Sequence, residues 1–120
     1  MTKRVLVIDD EVNFALFVRD ACHTMGYSAE VANDGIAAQA LVASFLPDII
    51  ILDIIMPGFD GIEFLRWFAA QPHRSRIILV TGFNPRYADM AIRLGEFAKL
   101  DLSILTKPLH LGDLRKALGG

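Results

Sequence analysis

Four short, largely apolar runs, each closed by a polar residue, constrain what this chain can fold into more than any other feature. The runs are Val5–Ile8, Ile49–Leu52, Ile77–Val80 and Leu102–Leu105. Such runs, rich in β-branched residues, are typical of strands buried on both faces of a parallel sheet. Longer segments with the apolar spacing of helices separate them. The alternation predicts an α/β domain of consecutive βα units, with the most apolar run, Ile49–Leu52, at the centre.

Five βα units account for the chain, with a further strand expected at Ser28–Ala32. Turn and cap residues bound the helices: Gly26 ends the first, and Asn33-Asp34-Gly35 is a turn and cap signal ahead of the second. The expected helices are Glu11–Met25, Ile36–Phe45, a third from an Asp60 cap through Ala70, a fourth from Asn84 and Pro85, and Leu111–Leu118. Three helices have an apolar face that we expect to be buried. These faces are Phe14, Val18, Ala21 and Met25 in the first helix, Ile62, Leu65 and Phe68 in the third, and Tyr87, Met90, Leu94 and Phe97 in the fourth.

Length and composition favour one folded domain over residues 1–120, with no second domain expected. The formal net charge is −2 and the basic residues are scattered, so we expect no direct nucleic-acid binding. No stretch approaches the roughly 20 apolar residues of a membrane span, and the amino terminus lacks a signal-peptide core, which predicts a cytoplasmic protein. Cys22 is the only cysteine, and we expect a packed, unreactive thiol.

Polar residues at the ends of the predicted strands propose one site. Asp9 and Asp10 follow the first run, Asp53 follows Leu52, Thr81 follows Val80, and Lys107 lies just after the last run. In an open parallel sheet, ligands gather outside the carboxyl ends of the strands. Each acid alone could simply cap a helix, and Lys107 alone could be a solvated loop residue. The coincidence of all five at strand ends favours a functional site.

The chemistry of these five residues points to phosphoryl transfer. Three carboxylates at one edge repel each other unless a cation neutralises them, and no histidine or cysteine cluster favours zinc. Mg²⁺ binds one or two carboxylates and takes phosphate oxygens among its remaining ligands. Lys107 supplies a positive charge and Thr81 a hydroxyl donor, which leaves Asp53 as the nucleophile. Attack by a carboxylate on a phosphoryl group would give an aspartyl phosphate.

The same residues carry a resemblance to a known family. Val7-Ile8-Asp9-Asp10-Glu11, the run from Leu52 to Gly61, Thr81-Gly82 and Lys107-Pro108 together resemble the motifs of receiver domains of bacterial two-component response regulators, across essentially the whole chain. The resemblance implies a flavodoxin-like, doubly wound (βα)5 sandwich with strand order 2-1-3-4-5. It also implies a cis bond before Pro108.

The resemblance assigns a role to each site residue. Asp10, Asp53 and the backbone carbonyl of Ile55 would bind Mg²⁺, with Asp9 holding the metal through its water shell. Asp53 would be phosphorylated, and Thr81 and Lys107 would bind the phosphoryl oxygens. Two apolar residues that flank the path of attacking water in the family, Ile55 and Phe83, are expected to shield the acyl phosphate.

The implied function is signalling. A sensor histidine kinase or a histidine phosphotransfer protein of a phosphorelay would supply the phosphoryl group. The surface of the fourth helix, fifth strand and fifth helix would then change and regulate an output domain or protein partner, and a homodimer could form through the same surface. Such a phosphoacceptor is not an enzyme in the usual sense, since it catalyses only its own phosphorylation and dephosphorylation. One departure is Ile104, which stands where the family often has an aromatic switch residue.

Three other readings remain open at this point. A metal-dependent phosphohydrolase also uses an aspartate nucleophile, but it usually has a second acid at the position that Ile55 occupies here. A flavin-binding module of similar topology would bring its phosphate against Asp9-Asp10-Glu11, which charge disfavours. A receiver fold that serves only as an interaction module is allowed by Ile104, but the intact acidic cluster disfavours it.

Overall fold

A five-stranded parallel sheet runs through the centre of the molecule, which is described by a computed structural model over residues 2–56, 59–82 and 85–119. The strands are β1 (Arg4–Ile8), β2 (Ser28–Ala32), β3 (Ile49–Asp53), β4 (Ile55–Met56), β5 (Phe59–Asp60), β6 (Arg76–Thr81) and β7 (Leu102–Thr106). The helices are α1 (Val12–Thr24), α2 (Gly35–Phe45), α3 (Gly61–Ala69), α4 (Pro85–Ala98) and α5 (Leu111–Gly119). The expected βα alternation is confirmed.

The main sheet has the order β2-β1-β3-β6-β7, with every pair parallel. Counting only its own five strands, this is the predicted order 2-1-3-4-5 of a flavodoxin-like fold. Strand β3 is central, as expected, and Ile51 pairs with Val7 on one side and Ile78 on the other. All five residues of β3 are buried, which explains its unbroken apolar sequence.

Helices cover both faces of the sheet, and the sheet divides the core into two clusters, one on each face. Alternate strand residues point to opposite faces, so Leu6 and Ile8 join one cluster while Val5 and Val7 join the other. Side chains of α2, α3 and α4 complete the first cluster, and those of α1 and α5 complete the second. The carboxyl ends of the parallel strands lie together at one edge of the sheet, and this edge can therefore carry a site.

Most predicted helix ends are confirmed to within a residue or two, and the caps show why. The carboxylate of Asp34 accepts a hydrogen bond of 2.8 Å from the backbone N–H of Ala37, which caps α2. Gly26 has a φ of 93°, a left-handed conformation that stops the chain from continuing α1. Asn84, the expected cap of α4, lies outside the described residues.

The expected buried face of α4 is wrong for two of its members. Phe97 is 89% exposed and Met90 is 46% exposed, whereas Ala91 is fully buried. Because Gly95 has no side chain, α4 can approach the side chain of Leu102 on β7 closely, and the face of α4 that carries Ala91 and Gly95 packs inward in place of Met90 and Phe97. Leu94 does pack against the core as expected, and the side chain of Tyr87 lies outside the described residues.

A short antiparallel hairpin between β3 and α3 was not expected. In it Ile55 pairs with Asp60 and Met56 pairs with Phe59. Asp60 is the last residue of this hairpin and directly precedes α3; its side chain lies outside the described residues, so its expected capping role stays a prediction. Two-residue strands are too short for a periodic signal in sequence.

Two expectations from composition concern Cys22 and membrane spans. Cys22 is fully buried on α1, so the expected packed thiol is confirmed, and burial raises the pKa of the thiol to about 11, which disfavours the reactive thiolate. Among the helices of the described ranges, none combines the length and apolar character needed to cross a bilayer.

Candidate functional site

Backbone hydrogen bonds beyond the regular ladders hold the strand ends together at one edge. The N–H of Lys107 donates to the carbonyl of Thr81 over 2.9 Å, which ties the exit of β7 to the end of β6. The N–H of Ile54 donates to the carbonyl of Val80 over 3.2 Å and extends the β3–β6 pairing past Asp53. The predicted site residues at these strand ends are therefore brought together by the sheet itself.

Asp53 and Lys107 form the central contact of this edge. Lys107 Nζ donates a hydrogen bond of 2.9 Å to Asp53 Oδ2, and the side chains are 36% and 7% exposed, respectively. Partial burial lowers the pKa of Lys107, but the hydrogen bond and the charge of Asp53, with the charges of Asp9 and Glu11, outweigh it and leave the pKa raised. The lysine is therefore a fixed positive charge at any physiological pH.

Asp9 is the most deeply buried acid at the site. It is 3% exposed, and its Oδ1 accepts a hydrogen bond of 2.9 Å from the N–H of Glu11. Burial, with the neighbouring charges of Asp53 and Asp10, raises the pKa of Asp9 to about 6, although the Glu11 N–H and Lys107 oppose the shift. The charged form of Asp9 is therefore disfavoured by burial first and by the neighbouring acids second, and a nearby cation would favour it.

Thr81 contributes a buried hydroxyl to this edge. The residue is 4% exposed, and among the described residues its Oγ1 has no hydrogen-bond partner. Leaving a buried hydroxyl without a partner costs roughly 1–3 kcal/mol in proteins. A hydroxyl kept at the ligand edge of the sheet at that cost fits a donor waiting for an oxygen-rich ligand.

The acids fit a divalent cation in chemistry, though they do not form a closed cage. Within the described part of the chain, no three acidic, histidine or cysteine side chains converge as a ready-made metal cluster. Asp53 Oδ2 is engaged by Lys107, and Asp9 Oδ1 by the Glu11 N–H. Mg²⁺ needs only one or two carboxylates and otherwise keeps its waters, so an open edge suits it better than a cage of protein ligands. A bound cation would oppose the burial and the neighbouring acidic charges that together raise the pKa of Asp9.

Two side chains at the site were missed by sequence reasoning. Lys107 Nζ lies 5.2 Å from the centroid of the Phe14 ring, although Phe14 was expected only as part of the buried face of α1. Asn33 Nδ2 donates a hydrogen bond of 2.8 Å to the backbone carbonyl of Asp9, although Asn33 was read as a turn residue. Asn33 directly follows strand β2, so the strand-end rule that found the other residues would also have found this one.

The remaining predicted positions are only partly placed. Ile55 begins β4, two residues after Asp53, and the expected role of its carbonyl stays a prediction. Its side chain and Phe83 lie outside the described residues, so their shielding role also stays a prediction. Ile104 is half-buried and packs against the α2–α3–α4 cluster. The expected cis bond between Lys107 and Pro108 is confirmed.

Comparisons with known proteins agree on one family. The model of the response regulator receiver domain matches residues 5–119. Regulatory protein AtoC of Escherichia coli is 33% identical over 112 residues, which cover 92% of this chain and 23% of AtoC. Sporulation initiation phosphotransferase F of Bacillus subtilis is 27% identical over 118 residues, which cover 98% of this chain and 92% of that protein. The solved signal receiver domain of a response regulator from Bermanella marisrubri superposes with a TM-score of 0.89 at 26% identity, covering 99% of this chain and 97% of that one.

The relatives differ in how much of their length the match covers. This chain spans less than a quarter of AtoC but nearly all of sporulation initiation phosphotransferase F. The shared part is therefore the receiver domain alone, whatever surrounds it in each relative.

Proposed function

Since this chain belongs to the response regulator receiver domains, we propose that it accepts a phosphoryl group on Asp53 and relays it as a signal in a two-component system. One observation carries the assignment to Asp53. This carboxylate, almost fully buried at the end of the central strand, is the one that Lys107 Nζ contacts at 2.9 Å. A nucleophile needs this placement, next to a fixed cation and at the ligand edge of the sheet.

The transfer step balances with the groups at this edge. A carboxylate oxygen of Asp53 forms a bond to phosphorus while the bond from phosphorus to the donor atom breaks. The electron pair of the breaking bond leaves with the donor, which for a phosphohistidine is the imidazole nitrogen. No proton has to leave Asp53, so no general base is required, and positioning with charge neutralisation is enough.

Each neighbouring side chain has a part in that step. Lys107 Nζ moves from the carboxylate to an oxygen of the transferred phosphoryl group, and Thr81 Oγ1 donates a hydrogen bond to another. Asp9 and Asp10, with Asp53 and the Ile55 carbonyl, are the residues that would hold Mg²⁺. That ion would supply neutralising charge to the phosphoryl oxygens when bound. Asn33 keeps the turn that carries the two acids in place through its bond to the Asp9 carbonyl.

The partners follow from the family and from the charge change on Asp53. A sensor histidine kinase or a histidine phosphotransfer protein supplies the phosphoryl group. The added negative charge draws Lys107 and Thr81, and with them the ends of β6 and β7, so the surface of α4, β7 and α5 changes. That surface regulates an output domain or a protein partner. The chain itself is a signalling phosphoacceptor that catalyses only its own phosphorylation and dephosphorylation.

The experiment is intact mass spectrometry after incubation with acetyl phosphate, with and without Mg²⁺. We expect one added phosphoryl group that requires Mg²⁺ and is absent from Asp53→Asn. Asp101→Asn, which removes an exposed acid ahead of β7, serves as the control and should be phosphorylated like the parent. If neither phosphorylation nor beryllofluoride binding is detected, the proposal fails and a receiver fold used only for interaction takes its place.

A further inference from the structure

The Lys107 ammonium has a second contact besides Asp53, on a different element. Its Nζ lies 5.2 Å from the centroid of the Phe14 ring on α1, within the range of a cation–π interaction. The ammonium is thus held between the central strand, through Asp53, and the first helix, through Phe14. In the described part of the chain these are its direct hydrogen-bond and ring contacts.

The lysine needs such a second contact because of where it sits. Lys107 follows β7, an edge strand of the sheet, and its side chain is 36% exposed. A four-carbon stem with one charged end rotates freely unless something restricts it. Attraction to acids alone would not fix its direction, since Asp9 and Glu11 also act on its charge. A ring contact from a second element favours one direction over the others.

The Phe14 ring is well placed to supply that contact. Phe14 is half-buried and packs against the cluster that contains Ala15 and Val18, so its own position is set by the core. The first turn of α1 is fixed in turn, because the Ala15 N–H donates to the Glu11 carbonyl over 3.0 Å. One face of the ring is therefore presented to the site by a rigid element.

We propose that Phe14 is a positioning residue for Lys107, holding its ammonium where it can pass from Asp53 to the incoming phosphoryl group; this rests on the proposed function. The chemistry of the ring matters here. An acid at residue 14 would form an ion pair that competes with the phosphoryl group for the lysine. A ring attracts the ammonium without a net charge, so Nζ can change its oxygen partner and remain over the ring. Phe14 itself touches no reacting atom in this scheme.

The test compares the rate of phosphorylation by acetyl phosphate in three variants with that of the parent protein. Phe14→Leu keeps apolar volume but loses the ring, and we expect the rate to fall about two- to fivefold, the factor that a cation–π contact of this kind supplies. Phe14→Trp offers a stronger ring and should retain the parent rate or exceed it. Phe17→Leu is the matched control, because Phe17 is 49% exposed on the same helix and should leave the rate unchanged. Phe14→Met replaces Phe14→Leu if that variant fails to fold.

A second readout is independent of activity. The protons on Lys107 Cε should show an upfield ring-current shift in the NMR spectrum of the parent, retained in Phe14→Trp and lost in Phe14→Leu. A parent-like rate in Phe14→Leu, or an equal loss in Phe14→Leu and Phe14→Trp, would overturn the inference. Failure of the parent to be phosphorylated at all would count against the proposed function instead, whatever the ring-current result.

Discussion

Lys107 Nζ lies 2.9 Å from Asp53 Oδ2, so a cation stands beside the proposed phosphoacceptor before any phosphoryl group arrives. In this arrangement the lysine balances part of the negative charge that Asp9, Asp10 and Asp53 place at one edge of the sheet. The same ammonium is then available to the phosphoryl oxygens. The Asp53–Lys107 pair should therefore contribute both to the stability of the fold and to the proposed phosphorylation.

Replacing Lys107 by Ala should affect both properties. We expect the rate of phosphorylation to fall at least about tenfold, because a charge that stabilises the transferred group is lost. The free energy of unfolding at pH 7 should fall by about 1–3 kcal/mol, because the nearly buried Asp53 carboxylate loses its lysine. Urea unfolding and acetyl phosphate kinetics measure the two effects. Lys116→Ala on the exposed side of α5 is the control, and a similar loss in that variant would mean that the effect is not specific to the pair.

Asp9 makes stability depend on pH between about 4 and 6. Its pKa is raised from the ordinary 3.8 to about 6 in the folded state, so the folded protein keeps a proton that the unfolded chain has lost. The free energy of unfolding therefore falls as the pH rises through this window, by up to about 3 kcal/mol from this group. In metal-free buffer, Asp9→Asn should match the parent near pH 4 and be more stable at pH 7.

The measurement is urea unfolding of Asp9→Asn and parent at several pH values in the presence of a chelator. Asp101→Asn, at an exposed position, should follow the parent throughout. If Asp9→Asn were less stable than the parent at pH 7, the assignment of a burial-raised pKa to Asp9 would be contradicted.

A substitution at Thr81 should slow phosphorylation without lowering the stability of the fold. Its Oγ1 is buried without a partner among the described residues, so Thr81→Val removes an unsatisfied polar atom at nearly constant volume. We expect thermal stability to hold or to rise by about 1 kcal/mol, while phosphorylation slows at least about tenfold. Thr106→Val on the neighbouring strand is the control, since Thr106 pairs with Thr81 in register but is exposed. Loss of stability in Thr81→Val would show that the hydroxyl has a structural partner.

Gly61 keeps the loop after Asp53 in place by letting α3 approach it. A Cβ at this position would lie 2.8 Å from the carbonyl oxygen of Ile54 and 2.9 Å from its Cα, and backbone atoms cannot move aside as a side chain can. We expect Gly61→Ala to cost about 1–3 kcal/mol of unfolding free energy and to slow phosphorylation, because Ile54 directly follows Asp53.

The matched control for this change is Gly112→Ala on α5. A Cβ there would meet no atom within 4 Å, so the replacement should raise stability by up to about 1 kcal/mol through helix propensity. Thermal unfolding of both variants is the measurement. Equal stability of Gly61→Ala and parent would mean that the backbone at Ile54 can shift to make room for a Cβ at residue 61.

Much of the fold follows from local patterns in the sequence. The strand runs and the cap at Asp34 are short-range signals, and the structure places these elements where they were expected. The buried face of α4 was mispredicted because it depends on a tertiary contact, the close approach of Gly95 to Leu102, which outweighs the apolar spacing of Met90 and Phe97. Helical periodicity cannot register a contact that depends on the absence of a side chain.

Some residues of the candidate site could likewise be predicted from the sequence, and others could not. Residues that end strands could be listed from sequence, because parallel strands bring their carboxyl ends to one edge. The ring of Phe14 could not be assigned to the site from sequence. Its contact with Lys107 joins the first helix to the segment after the last strand, and the two are far apart along the chain. The raised pKa of Asp9 likewise depends on burial and on charges from β3, which no local pattern contains.

The most direct measurement of the central claim locates the phosphoryl group on the chain. Protein treated with acetyl phosphate and Mg²⁺ is reduced with sodium borohydride, which converts an aspartyl phosphate to homoserine, and is then digested and sequenced by mass spectrometry. The account predicts homoserine at position 53, in the parent and in Asp101→Asn. Homoserine at position 9 or 10, or none in a protein that has gained phosphate, would contradict it.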